Sequence, residues 1–168
     1  MNGRALLLTG GEGAGKTSLG QAIGGLLTVR SLPVAVVDLD ALAQFGGGAP
    51  VHAELRRRNL ASMWANFLDL GARYVVVSGV VETAAEVTAY GEALVGCDLQ
   101  VVRVVTPPAL VERRTAGMVR GYGWDPANAP ASYERVRQAA LGDFAVSNDR
   151  SLDEAAREIV AQAGWLRD

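Results

Sequence analysis

Apolar residues along the chain follow two alternating patterns, short continuous runs and longer stretches with helical spacing. The short runs have the length and composition of buried strands, and we predict strands at 4–9, 34–38, 74–79, 99–105 and 144–147. The periodic stretches predict helices at 16–29, 51–70, 82–95, 109–117, 132–141 and 152–163. Because strands and helices alternate, we predict an α/β three-layer sandwich, with five parallel strands, helices on both faces and a single domain over 1–168.

A glycine-rich turn connects the first predicted strand to the first predicted helix. It reads Gly10-Gly11-Glu12-Gly13-Ala14-Gly15-Lys16-Thr17 and fits G-x-x-x-x-G-K-[ST], the phosphate-binding P-loop pattern. Glycines let backbone N–H groups surround a phosphate, and the helix N-terminus adds a partial positive charge. The alternative is a glycine-rich turn that binds nothing. The flanking strand and helix favour the P-loop, because they are the context that the motif requires.

We therefore predict a P-loop NTPase fold that binds ATP and Mg²⁺. In such a loop the lysine contacts the β- and γ-phosphates, and the threonine hydroxyl is a ligand of the metal. Lys16 is the only lysine in the chain. An arginine in its place would fit badly, because its guanidinium does not suit the phosphate cradle. We assign nucleotide binding in the loop to Gly11, Gly13, Ala14, Gly15, Lys16, Thr17 and Ser18.

Two carboxylates, Asp38 and Asp40, follow the second predicted strand. Ligands of open α/β sheets bind at the carboxyl ends of the strands, so both acids are expected near the P-loop. On an extended segment, side chains two residues apart point to the same side. One acid can hold Mg²⁺ and the other can orient a substrate hydroxyl or accept its proton. The alternatives are two solvated loop acids, or a short helix through Ala41-Leu42 that Asp40 caps.

The third predicted strand ends without the acid that many P-loop NTPases carry there. Ser78 and Gly79 occupy that place, and Glu82 follows. We therefore assign the metal to Thr17 and Asp38, and we predict substrate contacts for Gly79 and Glu82. An Asn-Lys-x-Asp guanine signature is absent because the chain has no second lysine, which argues against a GTPase switch.

Arginines cluster before the Gly/Pro-rich stretch 121–130. Arg113, Arg114 and Arg120 belong to this cluster, and we predict a mobile lid over about 113–130. Such a lid closes over the nucleotide and brings a cation to the transferring phosphoryl group. The alternative is an ordinary surface helix with solvated charges.

A second cluster, Arg56-Arg57-Arg58, lies near the start of the helix predicted from 51. We assign Arg57 and Arg58 to an anionic group of the substrate, and a charged helix face is the alternative. Asn59 and Trp64 on the same helix are either core or pocket residues.

Composition narrows the classes of partner. The chain has 168 residues, 49% hydrophobic and 20% charged, with a net charge of −2, so nothing favours nucleic acid as a partner. Cys97 and His52 are the only cysteine and histidine, which argues against a disulfide framework, a Cys-His metal cluster and a Ser-His-Asp triad. The sequence shows neither a secretory leader nor a membrane span, so we expect a cytoplasmic protein without a membrane partner. The sequence does not predict the oligomeric state.

The P-loop, the Asp38-Leu39-Asp40 pair and the arginine cluster together resemble the small P-loop kinases, and shikimate kinase is closest in layout. That family has Asp-x-Asp after its second strand, and an Arg-Arg-Thr-x-Gly run followed by Val-Arg, similar to 113–117 and 119–120 here. The resemblance implies that Asp38 lies near Mg²⁺ and Asp40 at the substrate hydroxyl. It also implies nucleotide contacts from the lid and from the loop before the last helix, with Arg114 against the adenine, Arg120 at the phosphates, and Asn148 and Arg150 around the base.

The chain departs from these families where they bind their acceptors. Ser78 to Glu82 replace the Gly-Gly-Gly of shikimate kinases, a Phe-Arg-x-x-Glu motif is absent near 56–59, and Leu39 and Ala41 break the Asp-Gly-Asp-Asn motif of adenylylsulfate kinases. Chloramphenicol phosphotransferase and gluconate kinase share the scaffold, so antibiotic and sugar-acid acceptors stay open.

We predict an ATP-dependent kinase that transfers the γ-phosphoryl group to a hydroxyl of a small molecule, mostly by positioning and electrostatic stabilisation. Its predicted catalytic residues are Lys16, Asp38, Asp40 and Arg120. The alternatives are an antibiotic-inactivating O-phosphotransferase, a nucleotide-binding module without catalysis, and an NTPase or nucleic-acid-associated P-loop protein.

Overall fold

The structure, a computed structural model, describes residues 3–46, 49–116 and 129–166. Its strands form one parallel sheet in the order β2-β3-β1-β4-β5, with β1 (Gly3–Thr9), β2 (Val34–Asp38), β3 (Tyr74–Ser78), β4 (Cys97–Val105) and β5 (Phe144–Ser147). The α-helices are α1 (Lys16–Thr28), α2 (Ala49–Asp69), α3 (Ala84–Ala93), α4 (Pro108–Thr115), α5 (Ala129–Ala139) and α6 (Leu152–Gln162). The predicted α/β fold with five parallel strands is confirmed.

The sheet separates two hydrophobic cores, and the central strand β1 contributes to both. Leu6 and Leu8 pack with residues of α1 and α6 on one face, whereas Ala5 and Leu7 pack with residues of α2 and α3 on the other. Successive side chains of a strand point to opposite faces, so a strand covered on both sides is apolar at every position. The continuous apolar run at the start of the chain follows from this arrangement.

The predicted boundaries differ from the structure mainly at helix starts. The third helix was predicted from 82, but α3 begins at Ala84 because Thr83 is its N-cap. The Thr83 hydroxyl accepts a hydrogen bond from the Glu86 N–H, and the Glu86 carboxylate accepts one from the Thr83 N–H. This capping box satisfies two N–H groups that a helix start leaves unpaired.

The segment that carries the two acids is not extended throughout, and that part of the sequence interpretation is wrong. Leu39–Ala43 form a short 3₁₀ helix, and Asp38 is its N-cap, with Oδ1 accepting from the Asp40 N–H at 2.9 Å. A short helix here was an alternative, but its cap is Asp38 and not Asp40. Asp40 therefore lies in the first turn of the 3₁₀ helix and Asp38 at the end of β2.

Two residues of α2 left open by the sequence have clear positions. The Trp64 side chain is 1% exposed, and its Nε1 donates to the Val95 carbonyl at 3.0 Å, so Trp64 is a core residue. Asn59 donates from Nδ2 to the Leu42 carbonyl at 2.6 Å, which ties α2 to the 3₁₀ helix.

The predicted lid falls largely on residues 117–128, which lie outside the described residues, and Arg120 is among them. The arginines at its beginning, Arg113 and Arg114, lie in the last turn of α4.

None of the helices in the described ranges has the length and apolar character needed to cross a bilayer. Cys97 is half-buried at the start of β4, and burial raises the pKa of its thiol to about 11. A thiol with this pKa stays protonated at neutral pH and is a poor nucleophile.

Replacing Trp64 tests whether this residue is a core anchor. Trp64→Phe leaves the Val95 carbonyl without its donor and opens a small void, and we expect the free energy of unfolding to fall by about 2 kcal/mol. Urea denaturation measures the change. Leu70→Ala is the control, since Leu70 is 85% exposed, and its effect should stay within about 0.5 kcal/mol. Equal stabilities of Trp64→Phe and the wild type would contradict the assignment.

Candidate active site

The P-loop between β1 and α1 has the backbone geometry of an anion cradle. Gly13 and Gly15 adopt positive φ angles of 77° and 88°, which side chains on Cβ disfavour. Gly15 is the N-cap of α1, and no side chain caps the helix there, so the N–H groups of the first turn are suited to a phosphate. Lys16 is 8% exposed, and its Nζ donates to the Gly11 carbonyl at 2.9 Å.

The far side of the loop is anchored through the Ala14 carbonyl. It accepts hydrogen bonds from Thr106 Oγ1 at 3.0 Å and from Asn148 Nδ2 at 2.8 Å. Arg114 donates from Nη2 to the Asn148 carbonyl at 3.1 Å. The structure thus brings together Ala14, Arg114 and Asn148, three residues that were predicted to bind the nucleotide. Asn148 is fully buried, and its Oδ1 has no hydrogen-bond partner within the described residues.

Two residues on this side differ from expectation in their contacts. Thr106 was missed, because a threonine after a strand carries no pattern in the sequence that reveals a partner 92 residues away. Arg150, predicted around the base, forms an ion pair with Glu158 of α6. Its role at the nucleotide stays a prediction.

A hydroxyl and a carboxylate meet on the opposite side of the P-loop. Thr17 donates from Oγ1 to Asp38 Oδ2 at 2.8 Å, while the other Asp38 oxygen caps the 3₁₀ helix. Both are hard oxygen ligands, as Mg²⁺ requires. The described residues contain no group of three or more His, Cys, Asp or Glu side chains placed to hold a metal. The pair therefore fits an ion that completes its coordination with phosphate oxygens and water, which is the usual way in which Mg²⁺ binds.

Asp40 lies beyond this pair and faces Arg56, a member of the arginine cluster that was not among the predicted substrate contacts. The Arg56 Nη2 is 3.7 Å from Asp40 Oδ1, and the two side chains are 29% and 57% exposed. Arg56 also lies beside Tyr90, whose pKa is raised by burial and lowered in part by this guanidinium. The Arg56 Nε is buried without a hydrogen-bond partner in the described ranges.

Helical spacing would have identified Arg56 among the three neighbouring arginines. Residues four apart lie on the same face of a helix, and Arg56, Leu60 and Trp64 have this spacing. Leu60 and Trp64 are 0% and 1% exposed, so Arg56 lies on the buried face of α2. Arg57 instead pairs with Glu54 on α2, with nitrogen–oxygen distances of 3.0 and 2.7 Å, and this hydrogen bond raises the pKa of Arg57. Arg58 is exposed. Substrate contacts of Arg57 and Arg58 stay predictions.

The loop after β3 is fixed by a buried hydroxyl. Thr9, fully buried, donates from Oγ1 to the Val81 carbonyl at 2.9 Å and accepts from the Val81 N–H at 3.2 Å. Gly79 packs against Leu39, since a Cβ at this position would lie 2.7 Å from the Leu39 Cδ1. Gly79 therefore has a packing role whether or not it also contacts a substrate.

Glu82 has a cationic partner that the sequence did not reveal. Arg135 of α5 donates from Nε to Glu82 Oε1 at 2.9 Å, and the two residues are 53 positions apart. This ion pair joins the loop after β3 to the helix that follows the predicted lid. A substrate contact of Glu82 stays a prediction.

Comparison with known proteins shows the fold of the chain. No protein-family model matches it, and no curated protein matches it in sequence. Several solved structures do match. An APS kinase of Mycobacterium tuberculosis, in complex with AMPPNP and APS, has 21% identity and a TM-score of 0.63, over 97% of this chain and 98% of that one.

Two further solved structures match over almost the whole chain. A shikimate kinase of Aquifex aeolicus has 13% identity and a TM-score of 0.66, with 95% of this chain and 96% of the other covered. A tunicamycin resistance protein of Deinococcus radiodurans has 14% identity and a TM-score of 0.65, with 96% of each chain covered. At these identities the likeness concerns the fold, and the chain has the P-loop α/β fold of the small-molecule kinases.

Proposed function

We propose that the chain is an ATP-dependent phosphotransferase, which transfers the γ-phosphoryl group to a hydroxyl of a small molecule. The observation that carries this proposal is the 2.8 Å hydrogen bond between Thr17 and Asp38 next to a P-loop with a buried Lys16. A nucleotide-binding loop alone serves many functions, but a carboxylate at the threonine hydroxyl supplies the second protein ligand of a metal–nucleotide complex.

The nucleotide is proposed to lie across the two sides of the P-loop. The N–H groups at the start of α1 and the Lys16 ammonium bind the phosphates, and Thr17 and Asp38 hold Mg²⁺. When bound, Mg²⁺ neutralises charge on the β- and γ-phosphates. Arg114 and Asn148, which meet at the Ala14 carbonyl, are proposed to border the base together with Arg150. Arg120 from the lid is proposed to reach the phosphates.

The acceptor is proposed to bind beyond Asp38, where Asp40 and Arg56 lie. Asp40 accepts a hydrogen bond from the acceptor hydroxyl and holds its oxygen in line with the γ-phosphate. The Asp40–Arg56 pair is long, at 3.7 Å, and partly exposed, so a substrate displaces it at little cost in free energy. Gly79 and Glu82 in the loop after β3 complete the proposed acceptor side, with Arg57 and Arg58 of α2 at its border.

Antibiotics are a second candidate class of acceptor. This candidate is supported by the shared fold of a tunicamycin resistance protein, which matches 96% of the chain at a TM-score of 0.65. An acceptor screen separates this class from metabolites.

Truncation of the P-loop lysine tests the phosphoryl-transfer mechanism. Lys16→Ala removes the cation at the β- and γ-phosphates, and we expect kcat to fall by about 10²- to 10³-fold with an unchanged unfolding transition. Arg73→Ala, which truncates an exposed cation before β3, is the control and should keep full activity. The mechanism is wrong if Lys16→Ala retains normal turnover.

An acceptor screen tests the substrate side of the proposal. ADP release is measured with Mg-ATP against hydroxylated metabolites, sugar acids, nucleosides and antibiotics. For the compound that gives a signal, Asp40→Asn should lower kcat by about 10²- to 10⁴-fold and leave ATP affinity unchanged, because Asp40 acts on the acceptor. Asp69→Asn, an exposed acid at the end of α2, is the matched control.

Two results would count against this assignment. If Asp40→Asn turns over as fast as Asp69→Asn, Asp40 does not act on the acceptor. Tight ATP binding without turnover of any compound would favour a nucleotide-binding module.

A further inference from the structure

A cavity of about 360 Å³ lies between β4 and α5, and Gly11 of the P-loop forms part of its wall. Its strand wall lies away from the proposed acceptor side, although α5 also carries Arg135, the partner of Glu82. In the sheet order β2-β3-β1-β4-β5, the strands that precede Asp38 and Gly79 lie on one side of β1, and β4 lies on the other. Val104, Val105 and Val136 give the cavity an apolar wall, and its volume lies within the range of small-molecule sites.

Arg103 is the unusual residue of this cavity. It belongs to β4, a strand paired on both sides, opposite Thr9 of β1 and Ala145 of β5. Its neighbours Val102 and Val104 are 0% and 2% exposed, whereas Arg103 itself is half-buried and lines the cavity. Its guanidinium forms no hydrogen bond or ion pair with any part of the chain that the structure describes. A half-buried guanidinium that is not paired with the described residues is available to an anion that enters the cavity.

A second arginine reaches the same cavity from α5. Arg137 is held by Glu134 through two hydrogen bonds of 2.8 and 2.6 Å, and these raise the pKa of Arg137. Tyr133 lies one helical turn earlier and also lines the cavity. Glu134 balances the charge of Arg137, so the charge of Arg103 is the one left for a ligand. Guanidinium groups bind carboxylates and phosphates through paired hydrogen bonds.

We propose that the cavity between β4 and α5 binds a small molecule with an anionic head, a carboxylate or a phosphate, and an apolar body. Arg103 is the principal contact of the head, Arg137 assists it, and the valines contact the body. The described residues that line this cavity include none of Asp38, Asp40, Gly79 and Glu82, so the proposal does not rest on the identity of the acceptor.

The cavity shares a wall with the nucleotide site. A Cβ at Gly11 would lie 2.6 Å from the Cα of Tyr133, so the α5 backbone rests directly on the first turn of the P-loop. A ligand that shifts α5 therefore changes the affinity for the nucleotide, and by linkage the nucleotide changes the affinity for the ligand to the same degree.

The test uses the full chain, labelled with ¹⁵N and saturated with Mg-ADP so that the P-loop is filled. Phenylphosphonate and benzoate are the two anionic probes, and benzyl alcohol is the neutral one. We expect saturable shifts at the amides of Val104, Val105 and Val136 with the anions, and affinity about tenfold weaker for benzyl alcohol. The tighter of the two anions identifies the head group as phosphate or carboxylate.

Arg103→Gln is expected to lower the affinity for the anionic probes about tenfold. Arg73→Gln, the surface control, should leave this affinity unchanged. Arg137→Gln is the second variant, because Arg137 is exposed and can be replaced without loss of the fold. We expect it to lower the affinity for the anionic probes about threefold. The proposal is overturned by the absence of saturable shifts at the three amides. It is equally overturned if benzyl alcohol binds as tightly as the anions and Arg137→Gln matches the wild type.

Discussion

The hydrogen bond between Thr17 and Asp38 depends on how α1 packs on the sheet. Thr17 lies in the first turn of α1 and Asp38 at the end of β2, and β3 separates β2 from β1 in the sheet. The helix approaches β2 closely because Gly24 has no side chain, and a Cβ there would lie 2.5 Å from Val36 Cγ2. The packing of α1 on the sheet therefore sets the distance between the proposed metal ligands. Gly24, which lies two helical turns from Thr17, permits this packing.

Charged residues of the candidate site are held by partners even without a ligand. The P-loop is anchored through the Ala14 carbonyl, Asp38 accepts two hydrogen bonds, and Asp40 and Glu82 face Arg56 and Arg135. The contacts of the P-loop and the Thr17–Asp38 hydrogen bond are partly or fully buried and keep their geometry, whereas the two arginine pairs are partly exposed and open more easily. The proposed phosphate and metal positions are therefore more rigid than the proposed acceptor side.

The sequence predicted those parts of the structure that depend on local patterns. The strand at 34–38, the P-loop and the start of α1 at Lys16 follow from apolar runs and a spaced motif, and they are confirmed. The 3₁₀ helix at Leu39–Ala43 was only an alternative to an extended segment, and its cap was assigned to Asp40 instead of Asp38, because the tertiary structure positions the Asp38 side chain. The contacts of Thr106 and Arg135 were missed, because they join segments distant in sequence, and no local pattern records such pairs.

The central claim is that Asp38 and Thr17 bind the metal of a metal–nucleotide complex. Calorimetric titration of ATP, with Mg²⁺ and with the metal removed by chelation, tests it in the wild type and in Asp38→Asn. The account predicts that Mg²⁺ tightens ATP binding about tenfold or more in the wild type and has little effect in Asp38→Asn, whose unfolding transition stays cooperative. Equal tightening of ATP binding by Mg²⁺ in both proteins would contradict it.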